Sequence, residues 1–336
     1  MCRSRPMAVV AVPRPFWSLS RRMTTLLPAS SAAIERATDI LRQGGLVAFP
    51  TETVYGLGAD AASPAAVAGI YAAKGRPRFN PLIAHVASLE AALREAALPE
   101  AAQRLAQRFW PGPLTLVAPA LENGGVCELA RAGLQSVALR VPAHPVALAL
   151  IAAFGGPIVA PSANRSGHVS PVTAEHVMSD LSGRVDLVLD GGRSLEGLES
   201  TIVAFLDGRA TLLRPGATPR EAIEAALGER LASAGEAVIA PGMTQSHYAP
   251  RARLRLDALS LEAGEAGLDF GGALAARGQS VALDLSPAGD LKEAAANLFA
   301  HLRALDALGV ERAAVAPIPA QGLGEAIRDR LWRAAS

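Results

Sequence analysis

From about residue 32 onward, hydrophobic and polar positions follow two different periods in alternating stretches. Stretches with apolar residues at every third or fourth position predict helices, and the short apolar runs between them predict buried strands. Such a succession is typical of α/β and α+β folds. Up to residue 228 the predicted helices are 34–42, 64–73, 88–108, 143–153, 173–181 and 219–227. The predicted strands are 46–49, 82–86, 114–118, 137–141, 158–160, 187–189, 201–205 and 211–213.

The pattern changes after residue 228, which predicts two domains joined by a linker. Residues 229–252 are rich in Ala, Gly, Ser and Pro and have little periodicity, as linkers do. A second α/β pattern follows, with strands near 253–256, 267–270, 280–285 and 313–316 and helices near 289–308 and from 322. The length of 336 residues also exceeds what one core usually organises. We predict an α/β domain over 30–228 and a small three-layer, Rossmann-like domain over 253–336.

The amino terminus differs from the rest of the chain. Residues 1–22 are basic, contain no acidic residue and have only a short apolar run. A signal peptide needs a longer apolar region and a small-residue cleavage site. We interpret residues 1–29 as a leader that is disordered or mis-started, with Met23 as the natural start after the first 22 residues. A basic targeting segment is the alternative.

Composition and charge exclude several classes of protein. Half of the residues are hydrophobic, 19% are charged and the formal net charge is +1. These values argue against a disordered chain and against a uniformly basic nucleic-acid-coating protein. Two cysteines, Cys2 and Cys127, are too few for a disulfide framework or a thiolate-rich zinc site. We therefore predict a cytoplasmic protein. The longest uncharged apolar stretch, 146–163, contains Gly155-Gly156-Pro157, so no membrane-spanning helix is predicted.

The loop at 50–58 has an unusual composition for a connector. It follows a buried strand and places two hydroxyls, a carboxylate and a phenol between Thr51 and Tyr55. Its Gly56-x-Gly58 sequence is a weak match to a dinucleotide fingerprint, because no acidic residue follows about twenty positions later. A tight turn between two strands is the simpler alternative.

A rigid basic loop follows at 74–81. Lys74, Arg76 and Arg78 lie within five positions, and Gly and Pro residues restrict the backbone between them. Only two of the 32 cationic residues of the chain are lysines, so a lysine here favours a compact charge for an anionic ligand over a solvated loop. The chain has no Gly-x-x-x-x-Gly-Lys-Ser/Thr sequence, so any phosphate site is not a P-loop.

Further loops carry similar polar groups. Arg140 ends an apolar strand and needs an anionic partner there. The segment 161–167 follows a strand at an edge where α/β proteins bind ligands, and Ser170 comes just after it. The segments 199–201 and 214–216 flank the last strands of the domain. Together these loops predict one pocket rich in hydroxyl and guanidinium donors, without a ligand set for a structural metal. His85 lies inside an apolar strand and, by itself, is most simply a core residue.

These segments resemble the Sua5/YrdC family of threonylcarbamoyl-adenylate synthases. The motifs that carry the resemblance are Pro50-Thr-Glu-Thr-Val-Tyr-Gly-Leu-Gly58, Lys74-Gly-Arg76 with Asn80-Pro-Leu, Trp110-Pro-Gly-Pro-Leu-Thr115, Pro161-Ser-Ala-Asn164, Glu199-Ser-Thr201 and Leu213-Arg-Pro-Gly216. The segment 241–250 resembles the linker of the longer Sua5 branch, which has a second domain. The resemblance covers residues 30–336, and 253–336 match by position and pattern only. It implies a YrdC-like twisted mixed sheet with a concave basic pocket in the first domain.

The resemblance also implies an activity. L-threonine, bicarbonate and ATP would become threonylcarbamoyl-AMP, diphosphate and water, the first step of the t6A modification at position 37 of tRNA. Such an enzyme is a nucleotidyltransferase, and its product would pass to the tRNA threonylcarbamoyl-transferase complex. Mg²⁺ would enter with the triphosphate of ATP rather than in a dedicated protein cage.

Site residues are implied motif by motif. Lys74 and Arg76 would be catalytic. The residues that would hold L-threonine are Thr53, His85, Arg140, the Ala160 backbone and Ser200. The residues that would hold ATP are Lys74, Arg76, Asn80, Ser136, Ser162, Ser170, Arg214 and Tyr248. For His85 and the Thr53 loop, the resemblance replaces the simpler structural interpretations given above. Residues 229–252 would fold over the pocket as a lid that brings Tyr248 to the nucleotide.

Two alternatives to this interpretation belong to other classes. A hydrogenase-maturation carbamoyltransferase contains a similar domain but needs zinc-finger cysteines that this chain lacks. An RNA-binding module of the YrdC type, without adenylating activity, would use the same basic pocket and show salt-sensitive RNA affinity. A weak RNA contact is also compatible with the enzyme.

Overall fold

The structure is a computed structural model that describes residues 23–233, 249–274 and 281–336. Its helices are α1 Ser31–Arg42, α2 Pro64–Lys74, α3 Leu89–Ala92, α4 Glu100–Phe109, α5 Pro145–Phe154, α6 Ala174–Leu181, α7 Arg220–Leu227, α8 Leu291–Ala307 and α9 Leu323–Ala335. Its strands are β1 Thr25–Pro28, β2 Val47–Phe49, β3 Gly56–Asp60, β4 Ile83–His85, β5 Leu114–Pro119, β6 Ser136–Arg140, β7 Ile158–Val159, β8 Leu187–Asp190, β9 Thr201–Phe205, β10 Ala210–Arg214, β11 Ala232–Ser233, β12 Arg253–Arg255, β13 Ala266–Asp269, β14 Ala282–Asp284 and β15 Arg312–Val315.

Local sequence signals explain where several helices begin and end. The side chains of Ser30, Ser63 and Asp290 accept hydrogen bonds from the first-turn amides of α1, α2 and α8. These amides have no partner within the helix, so a capping oxygen stabilises each start by about 1 kcal/mol. Gly75 ends α2 in a left-handed conformation, φ 63°, which glycine adopts without steric cost.

The described strands β1 to β11 form one mixed sheet in the order β1-β8-β2-β3-β7-β4-β6-β5-β9-β10-β11. Most of its central positions are apolar and buried, and helices pack on them. The loops that follow β2 and β7, the one that precedes β9 and the last residue of β6 reach the same region of this sheet. That convergence places the candidate site in the middle of the first domain.

The second domain contains a four-stranded parallel sheet in the order β12-β15-β13-β14. Helices α8 and α9 pack against each other and against this sheet. Leu298, Phe299 and Leu331 are buried in the cluster that these elements form. The crossover order and parallel pairing agree with the predicted Rossmann-like class.

The two domains share one apolar cluster. Val54, Val169 and Leu198 of the first domain pack in the cluster that contains the α8 and α9 core of the second. Charged side chains also cross the boundary: Arg220 and Glu325 form an ion pair of 2.5 Å between α7 and α9. The second domain therefore touches the loops around the candidate site directly.

Three sequence predictions need correction. The predicted leader 1–29 includes β1, whose residues pair with β8 in parallel, so the described domain begins before residue 30. The predicted helix 88–108 is two helices, α3 and α4, because Pro99 starts a new helix and has no amide to continue the first. The predicted linker begins with β11, which pairs with β10. The other helices and strands predicted for residues 34–228 are confirmed, with ends that shift by up to three residues.

The simpler interpretation of 50–58, a turn between two strands, describes its backbone correctly, since β2 and β3 pair as antiparallel neighbours. Residues 1–22 and 234–248, which include most of the predicted leader and lid, lie outside the described residues. In the described part of the chain no helix has the length and apolar character to cross a membrane.

Candidate active site

A cavity opens between the loops of the first domain, with about 560 Å³ of space when its solvent-open mouth is counted. Its walls combine buried hydroxyl, imidazole and guanidinium groups with a few apolar side chains. The lining residues are Thr51, Thr53, Val54, Gly56, Arg76, Ile83, His85, Arg140, Ala160, Pro161, Ser162, Glu199, Ser200 and Arg214.

Arg140 lies at the end of β6 and is only 4% exposed. Its Nη2 donates to the carboxylate of Glu52 at 2.6 Å, and its Nε donates to the carbonyl oxygen of Gly112 at 3.2 Å. A buried guanidinium needs such partners because its desolvation is costly. Glu52 is thus the anionic partner that the sequence required for this strand-ending arginine.

His85 lies directly beside Arg140, because β4 and β6 pair in parallel with these two residues in register. Burial and the positive charge of Arg140 lower the pKa of His85 to about 3. The imidazole is therefore neutral at pH 7. Its Nδ1 has no hydrogen-bond partner among the described residues. A neutral ring with an unpaired nitrogen in a cavity wall is suited to a polar ligand atom.

Two pairs of hydroxyls face the cavity. The Thr51 and Thr53 hydroxyl oxygens are 2.8 Å apart, and the Thr51 hydroxyl also donates to the carbonyl oxygen of Val54 at 2.6 Å. The hydroxyls of Ser200 and Thr115 are likewise 2.7 Å apart. Both pairs are buried, so their direction is set by the fold before any ligand binds.

The basic loop is held by backbone carbonyls. Nζ of Lys74 donates to the carbonyl oxygens of Ser162 and Asn164, at 2.6 Å for Ser162. The guanidinium of Arg76 donates to the carbonyl oxygens of Asn80 and Pro81. Burial and the nearby charge of Arg76 lower the pKa of Lys74 well below its ordinary value. The loop therefore places the Arg76 guanidinium in the wall of the cavity and the Lys74 amine just behind it, where a bound anion would favour the charged form of Lys74.

Arg214 reaches the cavity through an irregularity in the sheet. The register between β9 and β10 shifts between Leu212 and Arg214, which is a bulge of the kind that redirects a side chain. Its Nη2 donates to the backbone oxygen of Ser200 at 2.8 Å. Gly216 lets the two segments approach, since a Cβ there would lie 2.4 Å from the backbone oxygen of Glu199. Segments 199–201 and 214–216 therefore form a single rigid wall.

Glu199 in this wall is buried and fully paired. Its Oε1 accepts from the Ser170 hydroxyl at 2.6 Å, and its Oε2 accepts from Nε of Arg330 at 2.9 Å. Burial alone would raise the pKa of Glu199, but Arg330, Arg214 and the Ser170 hydroxyl bring it down to about 2. The carboxylate is therefore ionised at neutral pH.

The structure brings most of the predicted site residues together. Those that line the cavity are Thr53, Arg76, His85, Arg140, Ala160, Ser162, Ser200 and Arg214. Lys74 and Asn80 lie just behind its wall, and Ser170 is reached through Glu199. Ser136 lies at the opposite end of β6 from Arg140, about 13 Å along the strand and outside the lining.

The predicted nucleotide contact of Tyr248 lies outside the described residues. The next residue, Ala249, donates its amide to the carbonyl oxygen of Gly167 at 3.0 Å. The described chain therefore resumes beside the 161–167 loop, next to the cavity.

Sequence reasoning missed residues that act on the pocket. Glu52 and Glu199 were part of recognised motifs but were given no role. Arg330 was not singled out at all, because an arginine on an amphipathic helix usually faces solvent. Its complete burial, 0% exposed, is the signal that identifies it.

The described residues contain no group of three or more His, Cys, Asp and Glu side chains arranged to hold a metal. The two carboxylates at the cavity, Glu52 and Glu199, are each paired with an arginine. The residues present do not fit a protein-built metal cage.

The fold and the pocket define an α/β protein with a preformed site for small anionic and amino-acid ligands, covered on one side by a Rossmann-like domain. Residues 39–216 match the Sua5_yciO_yrdC family model, described as "Telomere recombination". Residues 218–336 match the Sua5_C model, described as "Threonylcarbamoyl-AMP synthase, C-terminal domain".

Relatives match over both domains. Threonylcarbamoyl-AMP synthases from Pyrococcus abyssi and Bacillus subtilis are 43% and 41% identical to this chain; the matches cover 90% and 93% of it and 93% and 96% of the relatives. The crystal structure of P. abyssi Sua5 complexed with L-threonine matches with a TM-score of 0.85 at 38% identity, over 93% of this chain and 97% of that one. The chain belongs to the Sua5 family of threonylcarbamoyl-AMP synthases.

Proposed function

We infer that this chain condenses L-threonine, bicarbonate and ATP into threonylcarbamoyl-AMP, with release of diphosphate and water. The observation that supports this most directly is the pocket itself, which buried Arg140, His85, Ser200 and Arg76 line together, with buried Lys74 behind the Ser162 part of the wall. One wall is suited to an amino acid and the other to a polyphosphate. As a nucleotidyltransferase, the chain would transfer AMP to a carbamate oxygen.

Arg140, His85, Thr53, Ser200 and the Ala160 backbone hold L-threonine in this proposal. A guanidinium beside a strand end is the natural partner for the amino-acid carboxylate. Glu52 and the Gly112 carbonyl each occupy one donor of Arg140, so they fix the orientation of the guanidinium and leave its other N–H groups for the ligand. Neutral His85 can accept a hydrogen bond from the hydroxyl or amino group of threonine.

The nucleotide side uses the cations of the other wall. Lys74 and Arg76 are placed at the triphosphate, where Asn80 and Ser162 lie close to them. Arg214, with Ser170 and Ser136, completes the predicted nucleotide site. Asn80 Oδ1 is buried and has no hydrogen-bond partner among the described residues, which is consistent with a ligand contact.

The chemistry requires positioning more than acid–base catalysis. The carbamate formed from threonine and bicarbonate is an anionic nucleophile, so no serine or cysteine nucleophile is needed. Fixed positive charge at the α-phosphate and at the leaving diphosphate stabilises the transition state. In this proposal Mg²⁺ enters as the counter-ion of the ATP triphosphate.

The partners follow from the same reaction. The product goes to a tRNA threonylcarbamoyl-transferase complex for t6A modification, and any contact of this chain with RNA is weak. A cytoplasmic location stays a prediction. Residues 229–252 act as a lid over the nucleotide, which is consistent with the place where Ala249 rejoins the 161–167 loop.

The test is diphosphate release from ATP with threonine and bicarbonate each omitted in turn. We expect release only when both are present. Equal release without either one would leave an ATPase, and no release together with salt-sensitive RNA binding would favour the RNA-binding module. The Arg140→Ala variant lacks the proposed partner of the threonine carboxylate, so it tests whether diphosphate release depends on threonine bound at this site.

A further inference from the structure

Arg330 is the largest fully buried side chain among the described residues, and it belongs to the second domain. It lies on α9, yet its guanidinium contacts the wall of the active site in the first domain. Arginine is almost never fully buried unless its charge is paired. A charge of this kind, inserted from a separate domain, requires an explanation beyond the packing of α9.

The guanidinium holds three acceptors from two domains. Nε donates to Glu199 Oε2 at 2.9 Å, Nη2 donates to the carbonyl oxygen of Pro215 at 3.0 Å, and Nη1 donates to Asp329 on its own helix. Glu199 and Pro215 belong to the two segments that carry Ser200 and Arg214. One side chain therefore joins both segments of the wall to α9.

The bond network continues from Glu199 to the predicted nucleotide side. The other oxygen of Glu199 accepts from the Ser170 hydroxyl at 2.6 Å. Arg303 of α8 donates to the carbonyl oxygen of Val169 and pairs with Asp180 at 2.9 Å. The second domain therefore anchors the segment around Ser170 as well as the segment around Glu199.

Close packing supports the same contact. Gly197 touches α8 so closely that a Cβ at this position would lie 2.4 Å from the backbone oxygen of Ala295. Arg193 donates to the backbone of Ala296 and to the side chain of Asn297. The segment 193–199 therefore lies between the cavity and α8, and its contacts with the second domain fix its position.

We propose that Arg330 is a positioning residue for the active site, by which the second domain holds Glu199 and thereby orients Ser170, Ser200 and Arg214 toward the substrates. The proposal rests on the function proposed above. It gives the second domain a role in catalysis without contact between that domain and a substrate.

The role predicts a particular kinetic effect. Ser200 belongs to the threonine side of the site, and Arg214 and Ser170 belong to the nucleotide side. Loss of Arg330 should therefore weaken the binding of both substrates together. A displacement of about 1 Å in a positioned group can cost about a hundredfold in rate. A residue that only stabilised the fold would instead lower the active fraction, and so the apparent kcat, with both KM values unchanged.

The experiment compares Arg330→Met and Arg330→Lys with two controls in the full-length chain. Arg333→Ala removes a cation from the same helix that also pairs with Asp329 but has no contact with Glu199 among the contacts described. Glu325→Gln weakens a different ion pair between the domains without touching the pocket wall. KM and kcat are measured for threonine and ATP, and the Kd of each substrate is measured by calorimetry.

For Arg330→Met we expect both KM values and both Kd values to rise by about 10-fold to 100-fold. Arg330→Lys keeps the charge but not the fork, so its values should lie between those of Arg330→Met and the wild type. Both controls should keep wild-type KM values. Wild-type KM and Kd in Arg330→Lys, or an equal rise in the controls, would overturn the proposal even if Arg330→Met fails to fold.

Hydrogen exchange separates this inference from the function on which it rests. Amides 168–172 and 197–201 should exchange faster in Arg330→Lys and Arg330→Met than in the wild type and in Glu325→Gln. This readout needs no turnover. Faster exchange with no diphosphate release by the wild type would leave the domain contact intact and disprove only the synthase function. Unchanged exchange would disprove the positioning role.

Discussion

Two arginine–glutamate pairs adjoin the same cavity, and they are built in different ways. Arg140 and Glu52 are 2.6 Å apart, and both belong to the first domain. Arg330 and Glu199 are 2.9 Å apart, but the arginine comes from the second domain. The first pair can form as soon as the mixed sheet folds. The second pair can form only when the two domains pack against each other.

The difference separates two uses of a buried charge. Arg140 lines the cavity and is placed to touch a substrate, and Glu52 orients it. Arg330 lies behind the wall, and Glu199 is the member of its pair that faces the cavity. Removing one partner of either pair leaves a buried charge unpaired, which costs several kcal/mol in general. The functional effects should nevertheless differ, because only one of the two arginines is placed to contact a ligand.

Arg140→Ala should produce the largest effect and should concern one substrate. It removes the proposed carboxylate partner, so kcat/KM for threonine should fall by about 10²–10³-fold, while the KM for ATP changes little. Steady-state kinetics with each substrate varied in turn measures this. Equal effects on threonine and ATP would place Arg140 in the same positioning class as Arg330 and erase the contrast between the two pairs.

Lys74→Ala should lower turnover by about 10²–10³-fold, the usual cost of losing one fixed electrostatic donor. Lys74→Arg should recover only part of this, because a planar fork does not replace a compact ammonium held by two carbonyls. The measurement is the rate of diphosphate release at saturating substrates. Wild-type turnover in both Lys74 variants would return the loop to an ordinary surface role.

The free energy of unfolding should depend on pH in a different range for each of the two regions. His85, beside Arg140, has a folded pKa of about 3, below its ordinary 6.5, so the unfolded chain takes up a proton first as the pH falls. Its contribution to the free energy of unfolding therefore declines below pH 6.5. Glu199, beside Arg330, has a folded pKa of about 2, below its ordinary 4.5, so its stabilising contribution is lost between pH 4.5 and 2.

His85→Asn should accordingly flatten the decline between pH 6.5 and 4.5 by about 2–3 kcal/mol. Glu199→Gln should change the free energy of unfolding only between pH 4.5 and 2. Urea unfolding at a series of pH values measures both. If His85→Asn leaves the decline between pH 6.5 and 4.5 unchanged, then His85 carries a proton in the folded state over this pH range. Its assignment as a neutral group in the wall would then be wrong.

Tyr248→Ala should give the smallest effect. The predicted lid would exclude water and retain the nucleotide, so loss of the Tyr248 ring should raise the KM for ATP a few-fold with little change for threonine. Release of the labile product, followed by rapid quench, should be faster. The control is Ala249→Gly, which keeps the backbone N–H that donates a hydrogen bond to the carbonyl oxygen of Gly167. Unchanged ATP affinity and product retention would reduce 229–252 to a tether.

Much of the fold could be predicted because its signals are local. The helices begin at Ser63-Pro64 and Asp290, where capping oxygens and a proline favour a first turn. The short strand β1 could not be found this way, because four residues at the edge of a sheet are specified by the partner strand β8 rather than by their own pattern. Pro99 could have divided the predicted helix 88–108, since proline is disfavoured inside a helix.

The candidate site likewise contains residues that short motifs identify and residues whose place depends on the pairing of distant strands. Lys74, Arg140 and Ser200 were predictable because their motifs, taken together, resemble one family. Spacing by itself favoured a core role for His85, and only the register of β4 with β6 places it against Arg140 in the cavity. The direction of Arg214 depends on a bulge between two strands, which no single-strand pattern reveals.

The sequence by itself determined the alternation of helices and strands, the two-domain division and the family. These properties follow from periodicity, capping residues and short motifs, which act over a few neighbouring residues. Only the tertiary structure decided that Arg330 pairs with Glu199, 131 positions away along the chain. A buried charge is tolerated wherever the fold supplies its partner, and that partner depends on how two domains pack rather than on the residues beside it.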